Sequence, residues 1–242
     1  MVPAGAARWA RINGALLGAF LTVAAGYFLV FHVHFINLRG AQEVRESAVT
    51  LTTRMFLKGD SPFVLDSLPA DTYLYGMIYH FAVWPAAAIW GPTFAVHRAA
   101  NLVFLAAGAL VLWYVLRRER AGGGLAVAGA VFYYLLNVDT YAIVARPDIL
   151  GAVFYLAAVA LVTRAPGSRV PGPWRLIGSV VCGLLAFYTK AYFLLGLPLA
   201  VGVLWLQAGW ARAVTYAVVA GLLLAGSAAA IQQVWPYFFF ST

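Results

Sequence analysis

Charge is what this sequence has least of. Asp, Glu, Lys and Arg make up 10% of its 242 residues, 64% are hydrophobic and the mean hydropathy is +0.86. A soluble domain is about half apolar and about a quarter charged, so no water-soluble fold could cover this much apolar surface. Acids are scarcer than bases, 8 Asp and Glu against 16 Lys and Arg, for a net charge of +8. The bases punctuate apolar runs and form no patch with interleaved aromatics, so anionic lipid headgroups are the expected counter-charge and no nucleic-acid partner is expected. The single cysteine, Cys182, rules out a disulfide framework and a thiolate metal cluster. Soluble hydrolase signatures are missing too: there is no Gly-x-Ser-x-Gly elbow and no His-Glu-x-x-His.

What the chain has is long apolar runs. The first, Gly14 to Val33, follows Arg8 and Arg11; it is longer than a signal-peptide core, and no small-x-small cleavage pattern follows in His34-Phe35-Ile36-Asn37. It is expected to be a retained first span. Residues 36–72 are polar and carry Arg39, Glu43, Glu46, Asp60, Asp66 and Asp71. Further runs cover 73–91, 94–116, 123–142, 149–163, 176–189, 191–208 and 213–234, separated by loop signals such as Gly122-Gly123-Gly124 and Pro171-Gly172-Pro173. The length allows six or seven spans of about 20 residues. The fold class predicted is all-α: one polytopic transmembrane helical bundle over 1–242, with an extracytoplasmic first loop.

Charge placement sets the topology. With Arg8 and Arg11 cytoplasmic, the first helix exits outward, and the cluster Arg117-Arg118-Glu119-Arg120 must return inside because Lys and Arg in short loops favour the cytoplasm. One crossing separates them. The 94–116 run is the cleaner candidate, so 73–91, interrupted by His80 and Pro85, is expected to be re-entrant or interfacial. The remaining runs then alternate, with Arg164, Arg169, Arg175 and Arg212 inside and Asp139, Arg146, Asp148 and Lys190 outside. In total the inside holds nine basic residues and one acid, Glu119, and the outside seven basic and seven acidic residues.

The outer loop contains a helix pattern over about residues 40–58. Val44, Ala48, Leu51 and Met55 share one stripe, with Arg39, Glu43, Glu46, Thr50 and Arg54 opposite. Gly59 and Pro62 end it. The pattern predicts an interfacial helix with its apolar stripe toward lipid or the spans and its acidic side toward water. An Arg39–Glu43 pair on a solvated face is the plainer account of those charges.

Three further features fall on the same side. Arg146-Pro147-Asp148 stands between two runs, where Pro147 suits a first helical turn and Asp148 offsets the helix dipole without any chemistry. Lys190, between two aromatic-rich apolar stretches, either snorkels or meets an anion. His97-Arg98 opens the 94–116 run and would serve as a headgroup anchor. Together, carboxylates on the loop helix and Arg98, Arg146 and Lys190 at one interface could deprotonate an acceptor hydroxyl and neutralise a phosphate leaving group. For an inverting displacement the base must face the sugar opposite the phosphate, which favours a loop residue, and Glu43 fits best.

The order of a first span, Gln42-Glu43-Val44-Arg45-Glu46, Lys58-Gly59-Asp60-Ser61-Pro62-Phe63 and Tyr75-Gly76 resembles the C-type glycosyltransferases of the family 39 kind. So do Ala145-Arg146-Pro147-Asp148 entering a span and Phe187-Tyr188-Thr189-Lys190 ending one. That group includes protein O-mannosyltransferases and lipid A aminoarabinose transferases. The resemblance runs from about residue 12 to residue 240 on short motifs. It implies a multi-pass enzyme of the cell (inner) membrane that takes sugar from a polyprenyl-phosphate donor on its extracytoplasmic face and passes it to a glycan, lipid or protein acceptor. The family's catalytic carboxylate maps to Glu43, with Glu46 as second candidate, because members often carry Asp-Glu where this chain has Gln42-Glu43. Donor-phosphate contacts fall to Arg98, Arg146, Asp148 and Lys190. Members are typically about twice this length, so the chain is expected to be an N-terminal portion of a longer enzyme.

A non-catalytic membrane scaffold or a transporter subunit is the alternative. Transport would favour ionisable groups at mid-bilayer depth, for which His80, Asn101, Gln232 and Gln233 are the few candidates. No cofactor is implied. A divalent metal is left open, with Asp66, Asp71, His32 and His34 as available ligand types, but their spacings match no strong metal signature, and loop solvation or interfacial anchoring accounts for them.

Overall fold

A computed structural model of the chain describes residues 4–64, 75–138, 143–163 and 171–241. All the regular structure among them is helical, giving an all-α polytopic bundle. The order is α1 (Ala4–Ile36), α2 (Val44–Lys58), α3 (Ile78–Trp90), α4 (Phe94–Arg118), α5 (Gly123–Val138), α6 (Asp148–Val162) and α7 (Pro173–Thr189). A 3-10 turn (Ala191–Leu195) then leads into α8 (Gly196–Ala208), α9 (Trp210–Val234) and the short α10 (Phe238–Ser241).

Four segments are long and apolar enough to cross a membrane: Ile12–Ile36, Phe94–Arg118, Ala191–Ala208 and Trp210–Val234. Helices α5, α6 and α7, of 16, 15 and 17 residues, rise about 22–26 Å each at 1.5 Å per residue. The surface of the bundle is apolar as well. On α1, Phe20, Val23, Tyr27 and Val30 are each about 70% exposed, which in water would invite aggregation and in a bilayer is the ordinary lipid-facing condition.

Helices α4 and α6 form the middle of the bundle. Helix α4 packs on α1, α5 and α6, and α6 packs on α7 and α8 as well. One core cluster joins α6 to α9 through Val162, Val180, Leu197, Leu204 and Tyr216. A second joins α2, α3 and α6 through Val49, Tyr79, Val83 and Leu150. A third, built from Phe63, Met77, Tyr188 and Phe238, draws the C-terminal segment against α2, where Trp235 meets Phe56 and Phe63.

Helix α2 departs from its sequence pattern in start and in orientation. It begins at Val44, with extended Glu43 as N-cap accepting from the Arg45 N–H at 3.0 Å. It ends in a Schellman motif at Gly59 (φ 82°), whose N–H bonds the Phe56 carbonyl while the Asp60 N–H bonds that of Met55. Of the apolar stripe, Val44 at 89% and Leu51 at 39% exposure face out, while Ala48 and Met55 are half-buried. The buried face is Glu46, Val49, Thr50, Thr52 and Thr53. Its polarity is affordable because Thr50, Thr52 and Thr53 donate to the carbonyls of Glu46, Ala48 and Val49 on their own helix.

Helix α3 is continuous through His80 and Pro85, which the sequence pattern treats as interruptions. It nevertheless does not cross the bundle. At its start the Gly76 N–H bonds the Thr189 carbonyl at the end of α7, and at its finish Gly91 (φ 83°) turns the chain into α4, whose second turn carries Arg98 to Glu46 at that same end. At 13 residues it rises about 20 Å, short of a hydrocarbon core of about 30 Å.

This placement is testable by labelling. In a Cys182→Ser background, cysteines at Asp60 and Pro92 are expected to react with an impermeant maleimide from one face of sealed vesicles, and a cysteine at Arg120 from the other. Labelling of positions 60 and 92 from opposite faces would mean that α3 crosses.

Candidate functional site

Glu46 and Arg98 form a polar pair with both side chains fully buried. Arg98 Nε and Nη2 donate to Glu46 Oε1 and Oε2 at 2.9 and 2.6 Å. Nη1 donates to the carbonyls of Phe35 and Leu38, and Nη2 also to that of Gly40, at 2.8–3.3 Å. A guanidinium has five N–H groups, and all five are used. The two acceptor oxygens of Glu46 are completed by backbone N–H groups, Gln42 at 2.6 Å and Ala145 at 2.7 Å. The pair therefore ties together the C-terminal end of α1, the 38–42 connection, α2, α4 and the segment before α6.

That last segment carries the candidate chemistry. The Ala145 N–H is held by Glu46, and Asn101, three residues beyond Arg98, donates its Nδ2 to the carbonyls of Val144 and Arg146. Arg146 and Asp148 are thereby presented beside the end of α7. Asp148 accepts from Lys190 Nζ at 2.6 Å and from the Tyr192 hydroxyl at 2.5 Å through Oδ1, while its Oδ2 lies 3.1 Å from Arg146 Nε. Lys190 Nζ sits 4.7 Å from the ring centroids of both Tyr75 and Tyr192, and the Arg146 guanidinium lies 5.9 Å from that of Tyr75. Tyr75 reaches this point because residue 76 is glycine: a Cβ there would stand 1.9 Å from the Tyr188 carbonyl oxygen.

Glu43 and Arg45, at the start of α2, border the same group. The Glu43 carboxylate acts electrostatically on Arg146, and the Arg45 charge acts on Tyr75 and Lys190. Around Asp148 there are thus three cations, Arg45, Arg146 and Lys190, and one further carboxylate, Glu43, leaving surplus positive charge. Burial draws the Lys190 ammonium below its ordinary range, Arg146 and Arg45 add to that, and Asp148 opposes it. Burial likewise raises the Tyr75 phenol; Arg146 opposes and Asp148 reinforces the shift.

Of the residues singled out in the sequence, Glu43, Arg146, Asp148 and Lys190 come together. Glu46 and Arg98 are a correction. They lie just behind the group, but every acceptor direction of the carboxylate and every N–H of the guanidinium is already engaged, so neither is free to meet a substrate. Glu46 was expected on the water-facing side of α2 and is instead wholly buried, because Arg98 neutralises it there. Glu43 differs: Oε2 caps α2, and Oε1 makes no hydrogen bond among the described residues. Asn101, a candidate for midplane polarity, instead supports the 144–146 segment near the end of the bundle. Tyr75, Tyr192 and Arg45 join the group without having been singled out for it. Tyr192 had a local signal, standing two residues from an isolated lysine, whereas Tyr75 arrives from across the chain. Asp66, Asp71, Asp139, Arg164 and Arg169 lie outside the described residues. Among the described residues, no three His, Cys, Asp or Glu side chains converge as a metal site. Comparison of the chain with family models, curated proteins and solved structures gives no match.

Removing one partner from a buried ion pair costs about 3–5 kcal/mol, because the other charge is left uncompensated. Arg98→Leu is therefore expected to lower the melting temperature of the detergent-solubilised protein strongly. Burial raises the Glu46 carboxyl, and the hydrogen bonds from Arg98, Gln42 and Ala145 more than reverse this, holding it below the usual range. Its contribution is then fully present above the unfolded value of about 4.3 and is lost as pH falls through the lower folded value. Melting curves of the wild type should lose stability on acidification below about pH 4.3 more steeply than those of Arg98→Leu; equal slopes would contradict this.

Proposed function

We propose that the chain is a membrane glycosyltransferase that moves a sugar from a polyprenyl-phosphate donor to an acceptor hydroxyl on the extracytoplasmic side of the cell (inner) membrane. The observation that carries this reading is the surplus of cations around Asp148, two of them held on that half-buried carboxylate, with the Glu43 carboxylate near enough to act on Arg146 and one of its oxygens uncommitted. Arg146 and Lys190 receive the donor phosphate, and Asp148 holds both at fixed separation. Glu43 takes the proton of the acceptor hydroxyl as its oxygen attacks the anomeric carbon. The bond from that carbon to the phosphate oxygen breaks, and the electron pair leaves on the phosphate, where the cations neutralise it. Attack from the face opposite the phosphate inverts the anomeric centre. Glu46 and Arg98 are positioning residues in this reading. The resemblance of the motifs to C-type glycosyltransferases supports the same reading.

Transfer of radiolabelled sugar from polyprenyl phosphate in membranes tests the assignment. Glu43→Gln is expected to lower transfer about 100-fold or more, in line with loss of a general base. Undiminished transfer by this variant would refute the base assignment, and no transfer from any polyprenyl-phosphate donor would favour the scaffold reading. Because Lys190 is held below its ordinary range, donor binding should weaken on an alkaline limb lying below the usual lysine value of about 10.4. Lys190→Arg should move that limb upward; an unmoved limb would show that Lys190 does not set it.

A further inference from the structure

The other end of the bundle holds a second basic site. Arg98 and Arg118 are twenty residues apart on α4, about 30 Å along the helix, so this site lies roughly one hydrocarbon thickness from the first. There an apolar groove of about 450 Å³ runs between α4 and α6, walled by Leu110, Val111, Ala157 and Leu161 and closed by the guanidinium groups of Arg118 and Arg175. Arg118 donates from Nη1 to the Ala160 carbonyl at 2.8 Å, and Arg175 donates from Nη2 to that of Thr163 at 2.9 Å.

Those bonds cap the end of α6 but do not exhaust the donors. Arg118 Nε and Nη2 are buried and have no hydrogen-bond partner among the described residues. The two guanidinium charges lie close enough to act on each other. The carboxylate paired with Arg118, Glu119 Oε1, stands 3.6 Å from Arg118 Nη2, beyond hydrogen-bond reach. Buried guanidinium N–H groups without acceptors are costly, and two like charges at the mouth of an apolar groove gain most from a shared anion.

We propose that this groove binds one anionic phospholipid, with its phosphate between Arg118 and Arg175 and an acyl chain along the α4–α6 wall. The volume falls within the usual range for a ligand site, about 300–1,000 Å³, and basic pockets between membrane helices are a recurrent headgroup site. The occupant is a phospholipid of the surrounding bilayer, because the groove continues the phosphate site into apolar wall. The site is separate from the transfer chemistry and does not depend on it.

Native mass spectrometry of the full chain in detergent, with phosphatidylglycerol or phosphatidylcholine added, tests the assignment. Wild-type protein is expected to retain phosphatidylglycerol at least about tenfold more tightly, equivalent to about 1.4 kcal/mol. Arg118→Gln/Arg175→Gln should abolish that preference, while Arg117→Gln/Arg212→Gln, which removes equal charge elsewhere, should keep it. Arg118→Lys/Arg175→Lys retains the charge and guards against a folding defect; it should keep part of the preference. Preference surviving in the folded Gln pair, or lost equally in the control pair, would overturn the proposal. Inorganic phosphate raising the melting temperature as much as phosphatidylglycerol does would reduce the site to one for free phosphate and overturn it equally.

Discussion

The bidentate contact between Arg98 and Glu46 is the constraint on which the rest of its end of the bundle depends. Burying either charge alone would cost several kcal/mol, and burying both is tolerable because every hydrogen-bonding group on them is matched. The guanidinium bonds the Phe35 carbonyl in the last turn of α1 and those of Leu38 and Gly40 just beyond it, where a positive charge is also favoured by the helix dipole. The carboxylate rotates α2 so that a polar face turns inward, and its remaining capacity grips Ala145. One pair thus decides how α1, α2 and α4 meet and where the segment before α6 lies.

From that segment the candidate site follows by short steps. Ala145 and Asn101 hold the backbone, so Arg146 and Asp148 project toward the end of α7, where Lys190 and Tyr192 complete the group. The aromatic rings of Tyr75 and Tyr192 flank the ammonium, and Gly76 lets Tyr75 approach. Two of its cations, Arg146 and Lys190, are held on one carboxylate, and two ring faces flank the ammonium.

Much of this was legible in advance. The ends of α4, α6, α7 and α9 fall within a few residues of the apolar runs, since hydropathy and loop residues are local signals. Gly59 ended α2 as its left-handed requirement demands. Charge placement separated the ends of the bundle: Glu43, Arg98, Arg146, Asp148 and Lys190 gather at one, and Arg118 and Arg175 meet at the other. Two misreadings also have definite causes. The side of α2 that carries Glu46 and Thr50 was expected to meet water and is buried, because threonines that bond their own helix lose little on burial and a carboxylate facing an arginine no longer needs water. Pro85 did not interrupt α3, because a single proline removes one intrahelical bond and a helix packed on its neighbours survives that loss.

The sequence by itself determined that this is a helical membrane protein, where its helices lie and which charges share a side, because those properties depend on composition over one or two turns and on alternation of spans. Tertiary structure alone decided which of two carboxylates three residues apart is spent and which is available. Glu43 and Glu46 are the same residue type on the same short segment, and nothing local distinguishes them. The difference comes from Arg98, fifty-two residues away, and from the Ala145 N–H, ninety-nine away, which reach Glu46 and leave one oxygen of Glu43 open.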